Sequence, residues 1–326
     1  VGASTAIDAG LVERFRQALD RLNPHGGKIG LAVSGGPDSM AMLLLAQEAI
    51  PGGFEVATVD HGLRPEAKDE CALVVAACEK RGVPCEVLSV EVGAGNLQAA
   101  ARNKRYRALD AWAQARSLAV YATAHHADDQ AETLLMRLNR GSGVSGLAGV
   151  REWVQFIANE VPVMRPLLTF RRAELLAIVQ AAGVEHCTDP SNDDISFDRV
   201  RIRKALEHVD WIDPVALSRS ASRLGDADET LEAYTNEAMR KLVTRHEDRV
   251  ECVAPMDREI GFRIVDRIIR QFGGAARGSQ IADLLDSLEN CRSGNVAGVL
   301  ATVEGEWGGA ERPVWVFRPE PPRKTG

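Results

Sequence analysis

Ile7, Leu11, Phe15, Leu19 and Leu22 recur at helical spacing, which predicts a helix over 7–22. The run Lys28-Ile29-Gly30-Leu31-Ala32-Val33 has the length and apolar character of a strand. Met40-Ala41-Met42-Leu43-Leu44-Leu45-Ala46 is too long and too rich in Leu, Met and Ala for a strand and predicts a helix. Three further strands are predicted at 54–61, 85–90 and 118–124, with helices over 65–81 and 97–117 between them. Strands alternating with helices predict an α/β fold, a parallel sheet with helices on both faces. Three of the four strands end in polar clusters, at Ser34–Ser39, Asp60-His61 and His125–Asp129. Ligands bind beyond the carboxyl ends of such strands, so the clusters are expected to converge.

The pattern changes near residue 210. One long helical period runs from Pro214 to Val243 through Leu217, Ala221, Leu224, Leu231, Ala238 and Leu242. Asp257 is a candidate cap for a helix burying Ile260, Ile264, Ile268 and Phe272, and Ser279 for one burying Ile281, Leu284, Leu285 and Leu288. Short strand-like runs such as Val314-Trp315-Val316-Phe317 follow within 295–318. The expected organisation is a domain over 1–210 and a smaller, mainly helical C-terminal domain over 211–326.

Composition is that of a globular protein, 45% hydrophobic and 26% charged over 326 residues. No apolar run has the roughly 18 residues of a membrane span, and no signal-peptide core is present, so a cytoplasmic location and no membrane partner are expected. Cys71, Cys78, Cys85, Cys187, Cys252 and Cys291 form no CxxC pair and are expected to be reduced and mostly buried. The net charge of −7 disfavours a protein coated in positive charge, but not one with local basic patches.

The six residues Ser34-Gly35-Gly36-Pro37-Asp38-Ser39 join strand to helix. Glycines allow a sharp turn and close approach of a ligand, and Pro37 suits a first helical position. Free N–H groups at the helix start favour phosphate oxygens, with Ser34 and Ser39 adding hydroxyls. The Lys-Ser/Thr of the common nucleotide loop is absent, as is the third glycine of a dinucleotide fingerprint. Asp38 would repel phosphate unless a cation bridges them, which points to Mg²⁺. The blander alternative is an ordinary turn with Asp38 as a helix-start charge.

In His125-His126-Ala127-Asp128-Asp129-Gln130-Ala131-Glu132-Thr133, Asp129 and Glu132 share a helix face and could hold Mg²⁺ or a substrate ammonium. His125 and His126 could carry a proton or donate to phosphate. The spacing does not fit a zinc HExxH site. Arg102 and Arg105 also share a helix face and could neutralise a phosphate, or simply form its charged outer side. Arg199, Arg201, Arg203 and Lys204 make a basic spot suited to nucleic-acid phosphates, with Arg165-Pro166-Leu167-Leu168 before it. Arg263, Arg267 and Arg270 form a weaker basic stripe opposite an apolar face.

The phosphate-loop sequence resembles that of the PP-loop ATP pyrophosphatases. Val-Asp-His-Gly-Leu-Arg at 59–64, His-His-x-Asp-Asp-Gln-x-Glu-Thr at 125–133, Arg-Gly-Ser-Gly at 140–143, Arg-Pro-Leu-Leu at 165–168 and Asp-x-Ser-Asn at 189–192 sharpen the match. In that order and spacing they resemble bacterial tRNA(Ile)-lysidine synthetases over about residues 28–204. Two positions depart from the family pattern: Gln98 stands for a glutamate, and Val200 for an asparagine.

The resemblance implies ATP-dependent ligation of L-lysine to C2 of the wobble cytidine in the CAU anticodon of a minor tRNA(Ile), through an adenylated cytidine, with release of pyrophosphate and AMP. It implies ATP and Mg²⁺ as cofactors, with tRNA(Ile) and L-lysine as partners, and leaves a homodimer open. Ser34, Gly35, Gly36, Pro37, Asp38 and Ser39 would bind ATP, and Asp38 the metal. Arg105, or Arg102, would neutralise the α-phosphate, while Asp129 and Glu132 would hold lysine. One of that acid pair or His125 would take the amine proton, and Arg199, Arg201, Arg203 and Lys204 would meet tRNA. The rivals are a PP-loop tRNA thiolase, disfavoured by the cysteine pattern, and a non-catalytic nucleotide- or tRNA-binding module.

Overall fold

The computed structural model describes residues 7–60, 62, 66–90, 97–156, 159–187, 198–308 and 312–320. Side chains 66 and 97–101 are also outside the description. His61, the 189–192 motif and the side chain of Gln98 therefore lie outside the described residues.

The chain divides into two compact units, Val1–Gly225 and Asp226–Gly326. The first opens with α1 (Ala9–Leu22), whose start is capped by the Asp8 carboxylate accepting from the N–H groups of Gly10 and Leu11. Then come β1 (Ile29–Ala32), α2 (Pro37–Ala49), β2 (Phe54–Asp60), α3 (Glu66–Glu79), β3 (Cys85–Ser89), α4 (Leu97–Ala115) and β4 (Val120–Ala122). These are the eight elements expected from periodicity, shortened by a few residues at their ends except α2, which extends beyond the 40–46 run on both sides. Beyond them the unit contains α5 (Ala127–Asn139), α6 (Val144–Leu147), β5 (Trp153–Val154), β6 (Val163–Met164), α7 (Arg172–Ala181) and α8 (Asp198–Glu207).

The sheet order is β3-β2-β1-β4-β6-β5, parallel except for the antiparallel edge strand β5. Alternation along β1 explains its two-sided cover. Ile29 and Leu31 join the core formed with Phe15 and Leu19 of α1, Met40–Ala46 of α2, and Leu175 and Ile178 of α7. Gly30 faces the other way, where a Cβ would lie 2.6 Å from the Trp112 ring of α4. That second core gathers Tyr106, Leu109, Trp112, Tyr121 and Val163. The chain leaves β1 to build β2 and β3 on one side, then returns to add β4 on the other. The ends of β1 and β4 thus flank the topological switch point, where such sheets bind ligands.

The division between the units falls inside α9 (Pro214–Leu242), later in the chain than the boundary near 210 expected from sequence. The second unit continues with β7 (Val243–Arg245), β8 (Val250–Val253), α10 (Arg258–Gln271), α11 (Gly278–Glu289), β9 (Gly294–Val296), β10 (Val299–Glu304) and β11 (Val314–Pro319). Its strands form one antiparallel sheet, ordered β7-β8-β11-β10-β9. Strands were expected only toward the end, so β7 and β8 are additions. Asp257 occupies the N-cap of α10 but its side chain makes no capping hydrogen bond, while α11 is capped at Arg277 and Ser279 lies inside its first turn. Arg263 is not on an outer stripe. It is 7% exposed and bound to Asp228, Glu232 and Glu259 at 2.6, 2.9 and 2.9 Å.

Candidate active site

The loop after β1 closes on itself. Gly35 takes a positive φ of 83°, and a Cβ there would lie 3.3 Å from the Glu70 carbonyl oxygen and 3.4 Å from Cys187 Sγ. Gly36 is the N-cap of α2, and Pro37 begins the helix. Ser39 Oγ accepts from the Ser34 N–H at 3.1 Å and donates to the Gly36 carbonyl at 2.9 Å. The Ser39 hydroxyl proton is thus engaged in shaping the loop, a role its sequence position did not reveal. The Cys187 N–H donates to the Gly35 carbonyl at 2.8 Å, so a distant segment braces the turn. Burial and the nearby acids Glu70 and Asp69 push the Cys187 thiol up, which keeps it protonated.

Asp38 stands in the first turn of α2, one oxygen 3.4 Å from His126 Nε2 and the other buried without a hydrogen-bond partner. Among the described residues, no group of three or more His, Cys, Asp and Glu side chains gathers to hold a metal. Mg²⁺ commonly takes one or two carboxylates and completes its shell with phosphates and water, and the free Asp38 oxygen fits that use.

His126 is the N-cap of α5, with a capping box that returns the Asp129 carboxylate to its own N–H at 3.1 Å. Its buried ring lies 3.4–3.6 Å from the carboxylates of Asp38, Asp128 and Asp129. Burial works against its charge, but Asp129, Asp128 and Asp38 outweigh burial and raise it to about 10. A charged ring has no acceptor. The 3.4 Å approach of the Asp129 N–H to Nδ1 is then a contact, and the carboxylates decide the ring's state. His125 is the opposite case. Burial and the cations Arg165, Arg102 and Arg105 hold it down at about 3, against the pull of Asp129. It shares a 2.9 Å hydrogen bond with Thr123 Oγ1. Two adjacent histidines are thus driven apart, one charged and one neutral at pH 7.

Glu132 is 2% exposed and holds two guanidiniums, with Arg199 Nε at 2.6 Å and Arg203 Nε at 2.7 Å. Arg199 also reaches Asp129 at 2.7 Å. Burial disfavours the Asp129 charge, but His126, Arg199 and His125 together hold its carboxyl below the ordinary range. The basic spot read from 199–204 therefore splits. Arg199 and Arg203 turn into the acid pair, while Arg201 and Lys204 stay exposed, Arg201 paired with Asp198. Helical spacing explains this, since residues four apart share a face. Val200, in place of the family's asparagine, is buried and apolar. Arg102 and Arg105 are exposed, with guanidinium carbons 5.1 and 5.6 Å from the Tyr106 ring centroid.

The structure thus links Asp38, His126, Asp129, Glu132, Arg199 and Arg203 by contacts at the switch point, while His125 bonds Thr123 and feels the Asp129 charge. Sequence reading missed Asp128, which accepts from the Arg172 N–H at 2.7 Å and so ties α5 to the start of α7. It also gave Arg165 no role. Arg165 follows β6, a strand of two residues that no periodicity signals.

A PP-loop domain model matches residues 10–209. The chain is 42% identical to a tRNA(Ile)-lysidine synthase of Novosphingobium aromaticivorans, over 97% of this chain and 96% of that protein. It is 39% identical to one from Zymomonas mobilis, over 95% and 94%. Among solved structures, a U34-tRNA thiolase from Methanococcus maripaludis superposes with a TM-score of 0.53 at 18% identity, covering 65% of this chain and 77% of that one. At that identity the likeness shows the fold alone. The glycine-braced loop, the acid pair on α5 and 39–42% identity with these relatives over nearly the full length place the chain in the tRNA(Ile)-lysidine synthase family, built on a PP-loop domain.

Proposed function

We propose that the chain ligates L-lysine to C2 of the wobble cytidine in a tRNA(Ile) with a CAU anticodon, using ATP and releasing pyrophosphate and AMP. The observation that carries this reading is identity of about two fifths with tRNA(Ile)-lysidine synthases over almost the whole of both chains. In the reaction, the cytidine C2 oxygen attacks the α-phosphate and pyrophosphate leaves. The ε-amine of lysine then attacks C2 and AMP leaves with the C–O bond.

Each step has a candidate group. The backbone N–H groups of the loop other than that of Ser34, which Ser39 Oγ uses, receive the β,γ-pyrophosphate. Asp38 would hold Mg²⁺, whose charge would offset that of the phosphates. Arg105, with Arg102 beside it, faces the α-phosphate. Asp129 and Glu132 take the ammonium of lysine. Their present partners, Arg199 and Arg203, supply the matching charge for its carboxylate, so the cluster offers both signs that an amino acid carries. His125 is neutral at pH 7 and can accept a proton from the amine, although a ring held at about 3 is a weak base until an anion offsets the arginines around it. Residues 211–326 are assigned to tRNA docking. A cavity of about 470 Å³ lined by Asn236, Met239, Arg240, Arg245 and Arg267 supports that assignment.

The thiolase reading is less well supported, since the Cys187 thiol beside the loop is held protonated by burial and nearby acids. The test is release of AMP and pyrophosphate from ATP with isoleucine tRNA, with and without L-lysine. AMP release that requires lysine supports the ligase. AMP release indifferent to lysine would overturn it.

A further inference from the structure

Nε2 of His126 faces two acids that serve different steps. It lies 3.4 Å from an Asp38 oxygen and 3.6 Å from an Asp129 oxygen. Both distances exceed the roughly 2.7–3.2 Å of a settled N–H···O bond. Ionised carboxylates only accept, so Nε2 carries the proton between them. The two acids come from different elements, Asp38 from the first turn of α2 and Asp129 from the first turn of α5. The ring itself has little freedom. It is 3% exposed, belongs to the N-cap of α5, and turns its other nitrogen to Asp128 at 3.6 Å. Asp128 is fixed in turn by the Arg172 N–H at 2.7 Å.

The two acceptors are tied unequally. Asp129 also accepts from the His126 N–H at 3.1 Å and from Arg199 at 2.7 Å. The second oxygen of Asp38 is buried without a hydrogen-bond partner. Whichever acid takes a cation shares its charge with it and accepts the Nε2–H less well. The N–H then turns to the other acid, which becomes a poorer host for a cation of its own. One donor between two acceptors is in this way a coupling between two sites, and such coupling is reciprocal.

We propose that His126 is a positioning residue that couples the Asp38 side of the site to the Asp129–Glu132 side, so that a metal pyrophosphate at the loop and an amino-acid ammonium on α5 weaken each other. It rests on the metal and lysine assignments of the proposed function and adds an order to them. The acid pair holds the ammonium best once Asp38 has given up its cation and the loop its pyrophosphate, which is when the second step begins. No proton is transferred, since Nε2–H changes only its acceptor.

The test is calorimetric binding of L-lysine to the full chain with isoleucine tRNA bound and no ATP, with and without Mg²⁺ and inorganic pyrophosphate. The lysine Kd is expected to rise about fivefold or more when they are added, and the pyrophosphate Kd by the same factor when lysine is added. Pyrophosphate with one Mg²⁺ is still an anion, so direct attraction between the two ligands has the opposite sign. His126→Asn keeps a capping side chain but is too short to bridge to α2, and its factor is expected to fall below about twofold. A merely structural role would loosen both ligands and leave the factor as it was. Asp38→Asn gives a second reading, because the ring then serves Asp129 throughout and saturating pyrophosphate should leave the lysine Kd unchanged. It decides should His126→Asn fail to fold. A lysine Kd in the parent that is unchanged or tightened by pyrophosphate, or a factor that survives in the variants, would overturn the proposal while leaving the lysine site standing. Lysine that fails to bind the parent at all would sink the lysine-site reading and the proposal with it.

Discussion

Gly35 is the residue on which the phosphate loop turns. Its positive φ strains any L side chain, and a Cβ would press on the Glu70 carbonyl and Cys187. Gly35→Ala is expected to cost about 1–2 kcal/mol at the turn and to lower tRNA-dependent pyrophosphate release at least tenfold. Steady-state release assays check this. Asp128 is a second residue with a defined signature. Burial opposes its charge, but the His126 hydrogen bond, the Arg172 N–H and the neighbouring cations hold its carboxyl at about 2. A depressed carboxyl contributes stability above its unfolded value near 4 and loses it as pH falls through about 2. Asp128→Asn is therefore expected to cost about 2 kcal/mol at pH 7 and almost nothing near pH 2. Denaturant unfolding at both pH values measures it, and an equal loss at both would contradict the electrostatic origin.

The decisive element is α5, whose capped start carries Asp128, Asp129 and Glu132 toward the end of β1. Helical spacing made the shared face of Asp129 and Glu132 legible in the sequence. The partners were not legible, because Arg199 and Arg203 come from α8, about seventy positions away. Their spacing read equally well as an outer basic patch. The strands β1 to β4 were visible because each is a distinct apolar run, whereas the two-residue β5 and β6 carry no period at all. Capping was legible only in part. Asp8 caps as its type favours, while Ser279 lies one step inside its helix and Arg277 takes the cap. Glu132→Ala would leave two guanidiniums without their shared buried acid, and is expected to destabilise the protein by about 3–5 kcal/mol. Glu132→Gln should hold the fold better and raise the lysine KM at least tenfold. Lysine saturation curves separate the two effects, and an unchanged KM in Glu132→Gln would remove the residue from the lysine site.

At the scale of the whole molecule, the net charge of −7 hides how the cations are distributed. Several arginines are spent on the chain's own acids, including Arg263 of the supposed stripe and Arg199 and Arg203 of the supposed patch. Arg240 and Arg245 line the cavity of the second unit and sit exposed. Arg240→Ala and Arg245→Ala are each expected to weaken tRNA binding and to lower the slope of log affinity against log salt by about 1. Filter binding across a salt series reads that slope, and an unchanged slope would free these residues of the role. No described helix is long and apolar enough to cross a membrane.

The central claim is that an acid pair on α5 and a phosphate loop after β1 serve one ligation. Transfer of radiolabelled L-lysine to an isoleucine tRNA transcript with a CAU anticodon tests it most directly, with methionine tRNA as control and ATP present or absent. Labelling of the isoleucine transcript alone, and only with ATP, is the predicted result. ATP turnover with that transcript but no lysine bound to it would contradict the account.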